Sequence, residues 1–153
     1  MANVFYQLSI QLVFSPKNRE ALILPSFSDE LHKYIGGILV NQKHKPLAIN
    51  SMPDHIHIFF GMHPNCLIPN LVRDIKSDTS LFIKQKKLSK HKFQWQEGYG
   101  VFSYSMSHRS NVINYIDRQQ IHHKKKTFKE EYLEFLKKFE VEFDENYLFD
   151  FFD

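Results

Sequence analysis

Two histidines one residue apart have the clearest chemical potential in this sequence. His55 and His57 lie in the run Asp54-His55-Ile56-His57-Ile58-Phe59-Phe60, whose β-branched and aromatic residues predict a buried strand. Side chains at positions i and i+2 of a strand point to the same face, so the two imidazoles should lie side by side. Neutral imidazole commonly binds divalent metals, and the pair therefore predicts half of a metal site. Two histidines that merely pack or hydrogen-bond on a sheet face would have the same spacing.

A tyrosine and a glutamine further along the chain can supply the other half of such a site. Tyr115 and Gln119 are four residues apart within residues 111–123, which we predict to form one helix. They should therefore share a helix face. The amide oxygen of Gln119 can complete a metal-binding set, and the phenol of Tyr115 can act as a nucleophile on a group that the metal polarises. Taken separately, each also fits an ordinary amphipathic or exposed helix residue.

The elements that must position these residues can be predicted from periodicity and turn signals. We predict strands over residues 4–14, 46–50, 55–60 and 101–106, with a turn at Pro53-Asp54. Helices are predicted from Ser28, over residues 67–83, over residues 111–123 with Ser107 or Ser110 as cap, and over residues 127–139, where Thr127 and Glu130 form a capping box.

The order of these elements predicts an α+β fold. It is a ferredoxin-like (RRM-like) β-α-β-β-α-β sheet followed by C-terminal helices that carry the tyrosine. In that plan the first and third strands are central, which suits a rigid metal site. We expect one domain over residues 1–153, made of a core (1–107), the tyrosine helix and the helix after it (108–139), and an acidic tail (140–153).

Composition narrows the possible functions. Hydrophobic residues make up 42% of the chain, which is enough for a core, and the net charge is only +3. Lysines nevertheless cluster at residues 84–92 and 122–126, a pattern that fits a face that contacts phosphate or simply a solvated surface. The single cysteine, Cys66, excludes an intramolecular disulfide and a cysteine-based zinc site. We expect no membrane contact and a cytoplasmic location, because neither a signal peptide nor a membrane-spanning stretch is apparent.

Several motifs together resemble one family. The chain is similar to single-tyrosine HUH transposases of the insertion-sequence 200/605 type (IS200-like transposases). The resemblance rests on segments in the family's order: Leu12-Val13-Phe14-Ser15-Pro16-Lys17-Asn18-Arg19, Met52-Pro53-Asp54-His55-Ile56-His57-Ile58, Gly98-Tyr99-Gly100-Val101-Phe102-Ser103, Tyr115-Ile116-Asp117-Arg118-Gln119 and His122-His123.

The resemblance implies both a reaction and a set of site residues. His55, His57 and Gln119 would bind Mg²⁺ or Mn²⁺, and Tyr115 would attack single-stranded DNA to form a 5′-phosphotyrosine. Family members act as homodimers on hairpins at the ends of an insertion sequence, and in several the tyrosine helix of one subunit completes the site of the other. Basic side chains would contact the DNA backbone: Arg73, Lys76, Lys84, Lys86, Lys87, Lys124 and Lys125. Trp95 and Tyr99 fit either base stacking or core packing.

The sequence is also compatible with three alternatives to a mobile-element transposase. A domesticated relative would cut repeat hairpins of the host chromosome by the same chemistry. A ferredoxin-like module can also bind nucleic acid without catalysis, although binding alone needs no His-x-His and Tyr-x-x-x-Gln set. A metal-dependent hydrolase that activates water would need the histidines but not Tyr115.

Overall fold

The computed structural model describes residues 3–18, 21–122 and 125–152. Its strands are β1 (Ser9–Phe14), β2 (Lys45–Met52), β3 (His55–Gly61) and β4 (Gly100–Tyr104). Its α-helices are α1 (Pro25–Asn41), α2 (Ile68–Gln85), α3 (Arg109–Asp117), α4 (Gln119–His122) and α5 (Phe128–Lys138), with short 3-10 turns at Met106–His108 and Glu145–Tyr147. Among the described residues, no helix is long and apolar enough to cross a membrane.

The four strands form one antiparallel sheet in the order β2-β3-β1-β4. This confirms the predicted α+β, ferredoxin-like arrangement, with the first and third strands at the centre. In the register, His57 lies between Val13 of β1 and Asn50 of β2. The histidine strand is therefore hydrogen-bonded on both sides, which fixes the direction of its side chains.

The pleat of β3 separates two kinds of packing. Ile56, Ile58 and Phe60 belong to the main core, which also contains the buried apolar residues of α1 and α2. On the opposite face, Phe59 packs with Val112 and Ile116 of α3. His55 and His57 share the Phe59 face because side chains alternate along a strand. Helix α3, which carries Tyr115, thus covers the same face of the sheet as the histidines.

Two predicted element starts were wrong. The first strand begins at Ser9 rather than at residue 4, because Ser9 pairs with the end residues of both neighbours, Gly61 and Tyr104, and no further partner strand exists among the described residues. Helix α1 begins at Pro25 rather than at Ser28. Proline fixes φ near its helical value and needs no hydrogen-bond partner for its nitrogen, so it can start a helix without a side-chain cap.

The predicted tyrosine helix is divided in two. The helical path ends at Asp117, and Arg118, with φ −102° and ψ 21°, separates α3 from α4. The side chain of Asn50 on β2 donates to the Ile116 carbonyl at 2.8 Å, which anchors this break against the sheet. Neither Ser107 nor Ser110 caps α3: a 3-10 turn leads into it, and its N-cap residue is His108.

Helix α5 begins as predicted. Thr127 is its N-cap, and the threonine side chain accepts from the backbone nitrogen of Glu130 at 3.2 Å. The acidic segment after α5 folds back over it: Phe149 packs on Tyr132 with ring centroids 5.1 Å apart, and Asp150 exchanges two 2.8 Å hydrogen bonds with the side chain of Gln96. These contacts clamp the C-terminal segment onto the domain.

Candidate active site

The site is built on the central strand β3. His55 and His57 project from the same face, with ring centroids 5.1 Å apart, and both side chains are fully buried. The two imidazoles therefore lie side by side on the strand, as their spacing predicts. Burial lowers the pKa of His55, although its hydrogen bond to Asp54 acts in the opposite direction. A lowered pKa favours the neutral imidazole, which is the form that can bind a metal.

The Nδ1 atom of each ring has a polar partner. His55 Nδ1 lies 2.8 Å from the carboxylate of Asp54 in the turn before the strand. His57 Nδ1 lies 2.8 Å from the amide nitrogen of Gln11, whose oxygen accepts from the Tyr104 hydroxyl at 2.8 Å. Partners of this kind fix the orientation of an imidazole whose other nitrogen is used for binding.

The Nε2 atoms point toward a carboxylate that comes from α5. Oε1 of Glu131 lies 3.1 Å from His57 Nε2 and 3.5 Å from His55 Nε2. The three side chains are buried, and their candidate ligand atoms all lie within 4.8 Å of one another. A buried carboxylate with two imidazoles is a donor set that fits a divalent cation.

Gln119 also reaches this cluster, although it lies at the start of α4 and not on the tyrosine helix. Its Oε1 atom is 3.3 Å from His55 Nε2, and the residue is fully buried. Its Nε2 atom donates to the Tyr115 backbone carbonyl at 3.3 Å, which keeps the amide oxygen turned toward the histidine. Gln119 therefore contacts the His55 imidazole from the separate helix α4 and not from the predicted continuous helix that also carries Tyr115.

Tyr115 lies beside the same cluster within a single chain. Its ring is 6.3 Å from that of His57, centroid to centroid, and its hydroxyl donates to Oε2 of Glu131. Burial and the nearby carboxylate raise the pKa of Tyr115 well above its usual range. The same causes raise the pKa of neighbouring Tyr104 to about 12. Both phenols are therefore protonated at neutral pH.

Helix α5 covers the histidines with aromatic rings. Phe128 stacks parallel on His55 with centroids 4.0 Å apart, and Phe135 meets His57 edge-on at 6.0 Å. A cavity of about 350 Å³ opens beside Tyr115 and Glu131, between α3 and α5. This cavity reaches the nucleophile candidate from outside, whereas the imidazoles are closed off by α5.

The basic residues predicted to contact DNA are only partly gathered in one place. A groove of about 1050 Å³ beside α2 is lined by Arg73, Lys76, Lys84 and Lys87, together with lysines that follow this helix. We call it the α2 groove. Lys86 and Lys125 are exposed but are not among its lining residues. Lys124 lies outside the described residues.

One residue of the α2 groove is constrained by the fold. Lys76 donates to the carbonyls of Gln96 and Gly98 at 2.8 and 2.7 Å. Burial lowers its pKa to about 8. Trp95 is buried against Phe14 and donates to Thr79 at 2.9 Å, which favours core packing over base stacking for this ring. Tyr99 also packs partly against the core.

Glu131 is the site residue that the sequence analysis missed. A signal for it exists: positions 128, 131, 132, 135 and 136 form the apolar stripe of α5, and Glu131 is the one charged residue within it. A carboxylate on the buried face of a helix requires partners inside the protein. The sequence pattern of α5 alone therefore indicates that Glu131 is a buried carboxylate with partners inside the protein.

Comparison with known proteins gives the family of this chain. The family model described as "Transposase IS200 like" matches residues 4–119, which span β1 through Gln119. The chain belongs to this family of transposases. The match ends before α5, so Glu131 lies beyond the matched segment.

Individual relatives agree with this assignment. The ISDra2 transposase TnpA of Deinococcus radiodurans is 24% identical over 119 residues, which cover 74% of this chain and 85% of that protein. A crystal structure of a transposase candidate from Deinococcus radiodurans R1 matches with a TM-score of 0.62 at 22% identity, covering 78% of this chain and 95% of that one. A REP-associated tyrosine transposase bound to a REP hairpin matches with a TM-score of 0.58 at 15% identity, covering 80% and 74% of the two chains. These structural matches show the shared fold.

Proposed function

We propose that this transposase cuts and rejoins single-stranded DNA through a 5′-phosphotyrosine intermediate at hairpin ends of an insertion sequence. The observation that carries the proposal is the position of Tyr115, whose hydroxyl lies in the same buried cluster as the two imidazoles. A phenol, two histidines and a carboxamide in one place are the groups that a metal-assisted nucleophilic attack on phosphate needs.

His55, His57 and Gln119 are proposed to hold Mg²⁺ or Mn²⁺. The donor chemistry fits, since the amide oxygen of Gln119 lies 3.3 Å from His55 Nε2 and ligand nitrogens of the two imidazoles lie within 4.8 Å of each other. When bound, the cation supplies positive charge that offsets the charge of the phosphodiester. Asp54 and Gln11 orient the imidazoles, and the sheet holds both rings in place.

Tyr115 is the proposed nucleophile. Its oxygen forms a bond to phosphorus while the bond from phosphorus to the 3′ oxygen breaks. The phenol loses its proton, and the departing 3′ oxygen gains one to become a free hydroxyl. The phosphotyrosine keeps the energy of the phosphodiester, so attack by a 3′-hydroxyl reverses the reaction without ATP. The cavity beside Tyr115 offers an approach for the DNA strand.

The DNA strand itself is proposed to lie along basic side chains. Phosphates would be contacted by Arg73, Lys76, Lys84 and Lys87 of the α2 groove, with Lys86 and Lys125 as further exposed cations.

We further propose that the chain acts as a homodimer. β4 is an edge strand with Val101 exposed, and such an edge can pair with a second copy. Light scattering at micromolar concentration tests the dimer, and a monomer with full activity would refute it.

The experiment for the proposed chemistry is incubation with end-labelled single-stranded DNA from the flanks of the gene, with Mn²⁺. A covalent protein–DNA band on a denaturing gel supports a tyrosine transposase. Cutting without any covalent band would instead indicate a hydrolase that uses water. Binding without cutting would indicate a non-catalytic module. The same assay on host repeat hairpins separates a domesticated enzyme from one that acts on its own element.

A further inference from the structure

We propose that Glu131 is a further ligand of the divalent cation and that its second oxygen positions Tyr115. This inference rests on the metal-dependent function proposed above and adds a residue from beyond the segment that matches the family. One carboxylate would then connect the metal, the nucleophile and the C-terminal helix α5.

The spacing of the donor atoms supports coordination. Oε1 of Glu131 is 3.1 Å from His57 Nε2 and 3.5 Å from His55 Nε2, and Oε1 of Gln119 is 3.3 Å from His55 Nε2. Ligands at neighbouring corners of an octahedron around Mg²⁺, each about 2.1 Å from the ion, lie about 3 Å apart. Three of the contacts among these four side chains therefore have the spacing of neighbouring ligands around one small cation, and the ligand atoms of His55, His57 and Glu131 all lie within 4.8 Å of one another.

The position of the hydrogen on the His55 ring also supports coordination. Asp54 is a carboxylate and accepts, so His55 Nδ1 carries the hydrogen of the neutral ring. The lone pair on Nε2 then faces the oxygens of Gln119 and Glu131. These oxygens lie 3.3 and 3.5 Å from the nitrogen, and a lone pair this close to electron-rich atoms is repelled by them. A cation among them turns the repulsion into attraction.

The second histidine needs one rearrangement before it can bind a metal. The Gln11 amide nitrogen donates to His57 Nδ1, so the ring carries its hydrogen on Nε2 and donates it to Glu131. If the Gln11 amide turns over, its oxygen accepts from Nδ1 and Nε2 becomes free for the metal. The Tyr104 hydroxyl, which now donates to Gln11, would then accept from it.

The other oxygen of Glu131 serves the nucleophile. Oε2 accepts the hydroxyl hydrogen of Tyr115, while Oε1 faces the histidines. The charge also fits the substrate: a divalent cation with one carboxylate, two neutral imidazoles and an amide has a net charge of +1, which attracts a phosphodiester anion. Because Glu131 lies on α5, metal binding should also fasten this helix to the sheet.

The test compares Glu131→Gln with Glu134→Gln, a matched change at an exposed position three residues along the same helix. Calorimetric titration with Mn²⁺ alone gives the affinity of each folded protein, with His57→Ala as the reference for a site without one histidine. We expect Glu131→Gln to weaken Mn²⁺ binding about tenfold or more, and Glu134→Gln to leave it unchanged. Unchanged affinity in Glu131→Gln, with binding lost in His57→Ala, would overturn this inference while the proposed function stands. If the wild type binds no Mn²⁺, the proposed function fails as well.

A second measurement uses only the wild-type protein and so does not depend on a variant that folds. Mn²⁺ should slow amide hydrogen exchange across residues 128–138, because Glu131 would tie α5 to the bound ion. Protection confined to β3 and α4 would exclude Glu131 as a ligand.

A third measurement is the yield of the covalent protein–DNA adduct. Covalent adduct formation should fall in Glu131→Gln. A rise in adduct yield would instead show that Glu131 blocks the place of the phosphate, and it too would overturn the proposal.

Discussion

The Tyr115 hydroxyl donates its hydrogen to the Glu131 carboxylate, which lies on the next long helix and not on its own. This contact joins the part of the chain that matches the transposase family to the helix that follows it. Burial and the nearby negative charge of Glu131 raise the pKa of Tyr115, and the hydrogen bond to that carboxylate adds to the effect by stabilising the protonated phenol. The site therefore holds its proposed nucleophile protonated and hydrogen-bonded to Glu131.

Tyr115→Phe should abolish the covalent protein–DNA band, because phenylalanine has no nucleophilic oxygen. Cutting should disappear with it, whereas Mn²⁺ binding should persist, since the phenol is not a proposed ligand. The change also removes a hydrogen bond to a buried charged group, so the free energy of unfolding should fall by about 1.5–3 kcal/mol. A denaturing gel and urea unfolding measure the two effects.

Tyr147→Phe is the control for that substitution, since this tyrosine is 87% exposed and lies outside the site. It should retain the adduct and the wild-type stability. An adduct that survives in Tyr115→Phe would mean that another tyrosine attacks the DNA. Cutting that continues without an adduct would point to activated water.

His57→Ala should remove the stabilisation that Mn²⁺ gives to the protein. A ligand that binds only the folded state raises the melting temperature, and loss of a metal-binding side chain removes that shift. Without metal, the variant should be less stable by about 1–3 kcal/mol, because the buried Glu131 loses a hydrogen-bond partner. Thermal unfolding with and without Mn²⁺ checks both effects. His91→Ala, an exposed histidine in the α2 groove, should keep the full shift.

Much of the fold could be predicted because local patterns and the final structure agree. The strand that carries the histidines, the turn at Pro53-Asp54 and the cap of α5 at Thr127 all follow from short-range rules. The element order was enough to predict the sheet with β1 and β3 at its centre. The break after Asp117 could not be predicted in the same way. It depends on a hydrogen bond from Asn50, which is distant in sequence.

The same limit applies to the candidate site. His55 and His57 could be placed together from their spacing alone, because the pleat of a strand determines which way side chains point. Glu131 could not be assigned to them, because no spacing rule states where α5 packs. The helix pattern could only indicate that this carboxylate is buried. Which groups it meets depends on tertiary contacts such as that of Phe128 with His55.

Gly100→Ala should disturb the packing of α5 on the sheet. A Cβ atom at this position would lie 2.7 Å from the Tyr132 hydroxyl oxygen and 3.0 Å from the Phe102 ring. Overpacking of this kind costs about 1–3 kcal/mol, and the strain would act on the residue next to Glu131. Urea unfolding should show that loss, together with weaker Mn²⁺ binding. Gly37→Ala is the matched control: nothing lies within 4 Å of its added Cβ, so this change inside α1 should stabilise the protein by about 0.5–1 kcal/mol.

Lys84→Glu should weaken binding of single-stranded DNA, because it places a negative charge in the α2 groove where a phosphate contact is proposed. Each phosphate contact releases counterions, so losing one lowers the salt dependence of the binding constant by about one unit of its logarithmic slope. Fluorescence anisotropy with a labelled hairpin at several salt concentrations measures both the affinity and the slope. Lys33→Glu makes the same charge change at an exposed position on α1 that does not line the α2 groove. Its net charge equals that of Lys84→Glu, so it controls for total charge, and we expect it to keep nearly the wild-type slope because its position lies outside the α2 groove. Equal losses in the two variants would mean that total charge, and not the α2 groove, governs DNA binding.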